Sequence, residues 1–412
     1  MPAWYESRFT GLFTLFVRVN LRPHDPSLEM TAGEMPPWES GDHELGCGGA
    51  GWTAEQAELA SVGEAIERIL ARALPCDDSL KASFASWPIN ERAVDPSRWV
   101  LFHPQQYASA GFPFLPLTSE TVCRWVCCRE AVTGEPVWVP EEMIFLTSRR
   151  GEFQQHLHGF STGLSCGRTG DPVLLRGVQE VIERDALIGG WWGRYPVDEW
   201  SIDVIRDLLG PADWKRVDRP NLHYRFYQIR SPFSRHVTMV SVSGDDEEGW
   251  VFSVGSACRE SRRESWKKAL LEAVQGRHCV RRLLAKWIEG GRKPLPVPGT
   301  FLEHALYYSI HRERLADTVL DRAAKTKSDP ASDDTEGLAE IREKLGVERP
   351  VLFRNLTPPG LVMQCPEWLV LRVVIPGLQP LHGDHRLPFL GGPLWQPRPL
   401  EDWLSVPPHP FA

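Results

Sequence analysis

The chain has 412 residues, 42% hydrophobic and 24% charged, enough to bury a large core as one big domain or two smaller ones. Its net charge of −8 argues against a general nucleic-acid binder. No apolar run approaches a membrane span and the N-terminus lacks a signal peptide's apolar core, so a cytoplasmic protein is expected, its nine cysteines reduced.

In chain order, residues 8–20 alternate and read as a strand, and a polar loop follows to about residue 45. Gly46-Cys-Gly-Gly-Ala-Gly51 reads as a tight glycine turn ahead of Thr53, the expected N-cap of a first long helix. The turn lacks the Lys-Ser/Thr of a phosphate loop. A loop-rich segment spans 75–120, and two strands are expected near 122–130 and 136–145, joined by a Thr-Gly-Glu-Pro turn. Cys123, Cys127 and Cys128 lie on the first of these without a second ligand pair, and read as core rather than zinc ligands. A small-residue turn, Phe160–Gly167, feeds a second helix. Strands at 237–242 and 250–255 lead to a third. Residues 325–337 form a polar surface loop, 369–375 a buried strand, and a proline-rich tail of about 393–412 shows no helical period.

The three helices share a pattern. Ser61-Val-Gly-Glu64-Ala-Ile-Glu67-Arg68 is echoed by Gly177-Val-Gln-Glu180-Val-Ile-Glu183-Arg184 and, more loosely, by Ala269-Leu-Leu-Glu272-Ala-Val-Gln275-Gly-Arg277. At about 3.6 residues per turn, each presents an acid, a second acid or amide one turn on, and an arginine. One such stretch alone reads as a surface ion pair. Three copies on apolar-backed helices read differently. If the helices converge, Glu64, Glu67, Glu180, Glu183 and Glu272 share a small volume with Gln275, Arg68, Arg184 and Arg277. Such acids repel unless cations intervene. Magnesium together with the phosphates of a nucleotide suits this inventory, since arginine forks match phosphate oxygens.

These motifs resemble those of the YcaO family, whose SxxExxER, ExxER and ExxQxR helices surround ATP and Mg2+. Here they are Ser61/Glu64/Glu67/Arg68, Glu180/Glu183/Arg184 and Glu272/Gln275/Arg277. The similarity extends to the glycine turn at 46–51, the Ser-Thr-Gly turn at 161–163 and the stretch 371–392. It implies an α/β fold of mixed sheets, one domain over 1–412 built of pseudo-repeats around a central ATP site, with a strand and loop at 1–45. It further implies Glu64, Glu67, Glu180 and Glu183 as metal ligands, and Ser61, Arg68, Arg184, Glu272, Gln275 and Arg277 as further nucleotide contacts. The sequence departs from many relatives at Ala50, Thr162, Arg168 and Pro172. Arg168 and Asp171 are the nearest replacements for the lost groups.

The resemblance implies ATP-dependent activation of backbone amides in a ribosomally made precursor peptide, turning Cys, Ser or Thr into thiazoline or (methyl)oxazoline. The ending Pro408-His-Pro410-Phe-Ala412 is close to the PxPxP-like tail of azoline-forming members, which points to Pro408, Pro410 and the Ala412 carboxylate as catalytic elements. With the motif region beginning by residue 46, a separate leader-binding partner of ubiquitin-activating-enzyme-like scaffold is expected. A flavin-dependent dehydrogenase is a further implied partner, and a homodimer stays open. Thioamide or amidine formation on the same site, and a non-catalytic accessory role, are the alternatives.

Overall fold

The computed structural model describes the chain apart from residues 1–11, 36–44, 73–78, 88–91, 147–154, 327–333, 359–366 and 412. Three sheets organise it. The first is antiparallel, in the order β1 (Leu15–Arg18), β2 (Glu29–Met35), β3 (Leu45–Gly51). The second runs β4 (Ser79–Ala82), β5 (Cys123–Glu130), β13 (Leu352–Asn355), β14 (Trp368–Val374), β7 (Leu164–Arg168), with β6 (Pro136–Pro140) paired to β5. The third runs β11 (Gly249–Cys258), β10 (Val237–Asp246), β9 (His223–Ile229), β8 (Val197–Trp200), β12 (Ala324–Thr326); only its β8–β12 pair is parallel. This is the mixed α/β architecture expected.

Several local readings change. The glycine run is not a turn but β3, paired along its whole length with β2, itself inside the stretch read as loop. Described pairing of the first strand covers only 15–18, with 8–11 outside the described residues. The 136–145 strand ends at Pro140 in a short 3-10 turn, and part of the 160–167 turn is the strand β7. Of the expected polar loop, 325–326 belong to β12 and 327–333 lie outside the described residues. Cys123 and Cys128 are buried on β5, as read, and Cys127 is half-buried.

Each sheet supplies the strand that precedes one motif helix. β3 leads into Ala54–Arg72, β7 into Val173–Trp191 and β11 into Arg262–Glu289. Each helix packs on its own sheet and reaches the next. The first lies on β3, and its Val62, Ala65 and Ile66 also pack on Trp368 and Val370 of β14. The second lies on β14 and β7 and touches β11 and β9. The third lies on β11 and β10, and its Trp266, Ala269 and Ala273 meet Ala50 of β3 and Met30 of β2. The chain of contacts closes on itself, so three acidic helices surround one centre. Among the described residues no helix is long and apolar enough to cross a membrane.

Two glycines make this closure tight. A Cβ on Gly49 of β3 would lie 2.1 Å from the Ala57 carbonyl oxygen, and one on Gly255 of β11 would lie 2.2 Å from both the Ala269 oxygen and the Ala273 nitrogen. Both clashes are with helix backbone, which cannot swing aside. Gly255→Ala should therefore push the third helix off its sheet and destabilise the fold by on the order of 1–3 kcal/mol, as measured by chemical denaturation. A variant as stable as wild type would show that the helix seats differently.

Candidate functional site

The helical spacing places Glu64, Glu67 and Arg68 on one face, and the strand that precedes the helix returns to meet them. Glu64 accepts a hydrogen bond from the Gly48 N–H at 2.9 Å and two from Arg68, Nη2 at 2.7 Å and Nε at 3.0 Å. A Cβ on Gly48 would come within 3.0 Å of the Gln275 Nε2, so the third helix faces the same strand edge. On the second helix, Glu183 accepts from the Ser256 hydroxyl at 2.6 Å and the Cys258 N–H at 3.1 Å, both on β11. Arg184 stands 3.6 Å from Glu183 and 4.0 Å from Glu180. Lys268 pairs with Glu272 at 3.0 Å.

The electrostatics separate these acids into two kinds. Burial first, then the charges of Glu180 and Glu64, push the Glu67 carboxyl up to about 8 against the pull of Arg68. Burial also lifts Glu180, to about 7, with Glu183 and Glu272 adding to it while Arg184 and Arg372 oppose. Burial works against the charge of Glu272 too, but Lys268, Arg184 and Arg259 outweigh it and hold that carboxyl below the usual range. Burial disfavours the Arg184 cation, yet Glu183, Glu180 and Glu272 together raise its value.

The donor set fits a hard divalent cation with phosphate. Two carboxyls lack enough positive charge, and two arginines stand beside them. Among the described residues no three His, Cys, Asp or Glu side chains form a ready-made metal cage. Mg2+ takes one or two carboxylates and completes its shell with water and substrate phosphates.

Not every expected residue is here. Ser61 is fully buried under its helix, its hydroxyl 2.6 Å from that of Thr31 on β2, where it ties helix to sheet. Arg277 is also fully buried, donating to the Gly244 oxygen at 3.2 Å and to Asp246 at 3.1 Å, in a separate network where Arg281 links Asp246 to Asp25. The reason is periodicity: five residues beyond Glu272, its side chain leaves the helix on another face. Pro408 and Pro410 are buried, and no described hydrogen bond or ion pair joins them to the glutamates. Ala412 lies outside the described residues. Of the departures, Ala50 is core, Thr162 is buried and Pro172 caps the second helix. Arg168 is exposed, and Asp171 accepts its backbone N–H at 2.6 Å, closing the turn.

Sequence reading missed four contributors. Lys268, four residues before Glu272, was visible as a helical pair. Ser256 and Arg259 owe their place to β11 and carry no pattern. Arg372, on β14, is buried and donates to the Met143 and Phe160 carbonyls, while its Nη1 has no partner among the described residues. Burial lowers it to about 10 despite the field of Glu180.

Residues 48–379 match the family model described as YcaO cyclodehydratase, ATP- and Mg2+-binding. No curated protein matches the sequence. Among solved structures, a heterocyclase in complex with substrate and cofactor superposes with TM-score 0.69 at 16% identity, over 98% of this chain and 55% of that one. This chain thus spans little more than half of that heterocyclase. The E. coli microcin synthetase McbBCD complex gives TM-score 0.63 at 13% identity over 96% of both chains. A YcaO protein from Methanopyrus kandleri, bound with AMPPCP and Mg2+, gives 0.56 at 18% identity over 89% of this chain and 85% of that one. At these identities the likeness shows the fold.

The raised carboxyls have a consequence for stability. Their folded-state values lie above those of the unfolded chain, so the folded protein holds extra protons and loses stability as pH climbs from about 4.5 to about 8, beyond which the loss levels off. Without divalent cations, Glu67→Gln should be more stable than wild type at pH 8.5, by on the order of 1–3 kcal/mol, and less so at pH 6.5. Thermal melts in chelator at the two pH values test this, and a variant less stable than wild type at pH 8.5 would refute it.

Proposed function

Because the chain belongs to the YcaO family, whose cofactors are ATP and Mg2+, we propose that it is an ATP-dependent cyclodehydratase acting on a ribosomally made precursor peptide. The observation that carries this reading is the meeting of Glu64, Glu67, Glu180, Glu183 and Glu272 with Arg68 and Arg184 inside a closed ring of three helices. In the proposal, Glu67 and Glu180 are the carboxyls that would hold the metal once deprotonated. Glu64 and Glu183, already oriented by backbone and hydroxyl donors, complete its surroundings. Arg68 and Arg184 face the phosphates, with Gln275 and the Lys268–Glu272 pair bordering them. When bound, ATP and Mg2+ supply the phosphoryl group that turns an amide oxygen into a leaving group.

What this chain's residues contribute is position and charge. Fixed donors and forks act in a half-buried site where they need not reorganise during the reaction. The neighbouring side chain of a Cys, Ser or Thr in the peptide would attack the preceding carbonyl carbon, and departure of the oxygen would leave an azoline ring. A separate leader-binding partner protein belongs to the proposal, supported by the superposition on a synthetase that is a multi-protein complex. A flavin-dependent dehydrogenase would oxidise the ring further.

Mass spectrometry of a candidate precursor, co-produced with this protein and its partner, tests the chemistry. Loss of one water per modified residue is expected. Exchange of oxygen for sulfur would replace this reading by thioamide formation, and an unmodified peptide with intact ATP binding would indicate an accessory role. The site has its own test. Mg2+ with AMPPCP should raise the thermal midpoint of wild type, and Glu67→Gln, Glu183→Gln, Arg68→Lys and Arg184→Lys should each cut that rise sharply. Arg277→Lys should lower the starting midpoint and keep the rise. A full rise in both glutamine variants would move the metal elsewhere.

A further inference from the structure

The segment Val406–Phe411 enters the interior with four successive carbonyls each held by a side chain. His385 Nε2 donates to the Val406 oxygen at 3.2 Å, Trp191 Nε1 to Pro407 at 2.7 Å, Tyr308 OH to Pro408 at 2.6 Å, and His304 Nδ1 to His409 at 2.6 Å. Prolines at 407, 408 and 410 remove backbone donors, so no strand ladder could serve this segment. The His409 ring completes the arrangement, donating from Nε2 to the His382 oxygen at 2.9 Å and accepting the Phe411 N–H at Nδ1 at 3.3 Å.

Four histidines therefore form one buried cluster. His304 stacks on His409 with centroids 4.0 Å apart, and His382 meets His409 edge-on at 4.6 Å. His385 lies 6.0 Å from His304 and 6.2 Å from His382. Three of the rings have one nitrogen committed as donor, which fixes a neutral tautomer. The second nitrogens of His304 and His385, and both of His382, have no hydrogen-bond partner among the described residues. Protonating any of them places an N–H against apolar or aromatic surface, and two cations in the stacked pair would repel at close range. Among the described residues the acid within reach is Asp384, whose charge acts on His304 and His385, but Arg386 already binds it through its backbone N–H and two guanidinium bonds, and Glu303 lies beyond that arginine. Trp191 and Trp192 of the second motif helix, Trp403 and Tyr308 complete the walls without a charge to offer.

We propose that His304, His385 and His409 are positioning residues whose neutral rings set the docked path of residues 406–411, and that proton uptake by the cluster releases the segment. The inference concerns docking and does not depend on the azoline reading. Burial lowers His304 and His385 to about 4, and His382 and His409 further. The docked form thus binds fewer protons than the released one. Docking is complete above about pH 6.5 and weakens as pH falls, at pH 5 by roughly thirtyfold for each histidine exposed on release.

Hydrogen exchange on the full chain tests this, read at the His409 and Phe411 amides and at the histidine C2 positions. At pH 7.5 the four cluster rings and both amides should be protected, while the C2 position of exposed His24 exchanges freely. At pH 5 the two amides should exchange freely while the second motif helix stays protected. His409→Phe keeps a stacked ring and removes one titrating group, so its release should need a lower pH. Amides protected down to pH 4.5, or opening only together with the second motif helix, would overturn the proposal. The wild-type measurement decides this even if the variant does not fold.

Discussion

The repulsion between Glu67 and Glu180 is the constraint on which the rest of the site depends. They sit on different helices that start from different sheets, and only the packing of the whole domain holds them together. Their neighbours Glu64 and Glu183 are saturated, the one by Gly48 and Arg68, the other by Ser256 and Cys258. The site therefore holds two carboxyls whose burial and mutual charge favour the protonated form, framed by two held by hydrogen-bond donors. A structural ion-pair network would have spread its hydrogen bonds more evenly.

Holding like charges together needs rigid backing. The close approach of the first helix to Gly49 and of the third to Gly255 supplies it, because backbone against backbone leaves no side-chain freedom to relax. The same ring keeps the two polar networks of the third helix apart. Glu272 and Gln275 turn toward the centre, while Arg277 and Arg281 turn away to Asp246 and Asp25, locking the β10–β11 hairpin to the loop before β2.

Much of this was legible because helices record their faces in the sequence. The three acidic helices, their order and the face carrying each acid and arginine follow from period and composition, while their convergence on one site was implied by the family resemblance. Strands rich in glycine are harder: Gly46–Gly51 offers only the side chains of Cys47 and Ala50, too few to show an alternation, so pairing with β2 left no periodic trace. Ser61 was assigned by motif, but its hydroxyl is taken by Thr31, a partner thirty positions away that no local pattern marks. Arg277 could have been excluded by counting, since its offset from Glu272 does not close a turn. Arg372 was beyond reach, because its role comes from the Met143 and Phe160 carbonyls brought to it by distant loops.

The proline-rich tail shows how a segment without secondary structure can still be specified. Proline removes donors and keeps acceptors, so a buried run of prolines presents carbonyls that other side chains must satisfy. Here the donors come from three places: the helix Phe301–Ile310, the loop containing His385, and the end of the second motif helix. The last of these ties the tail to the site. Trp191 lies seven residues beyond Arg184 on one continuous helix, a separation of about 10 Å along the axis. Phe411 packs against the Trp191 ring at 5.8 Å and belongs to the same apolar cluster as Val181 and Ile182. Docking of the tail and the seating of the helix that carries Glu180, Glu183 and Arg184 are thus parts of one packing problem.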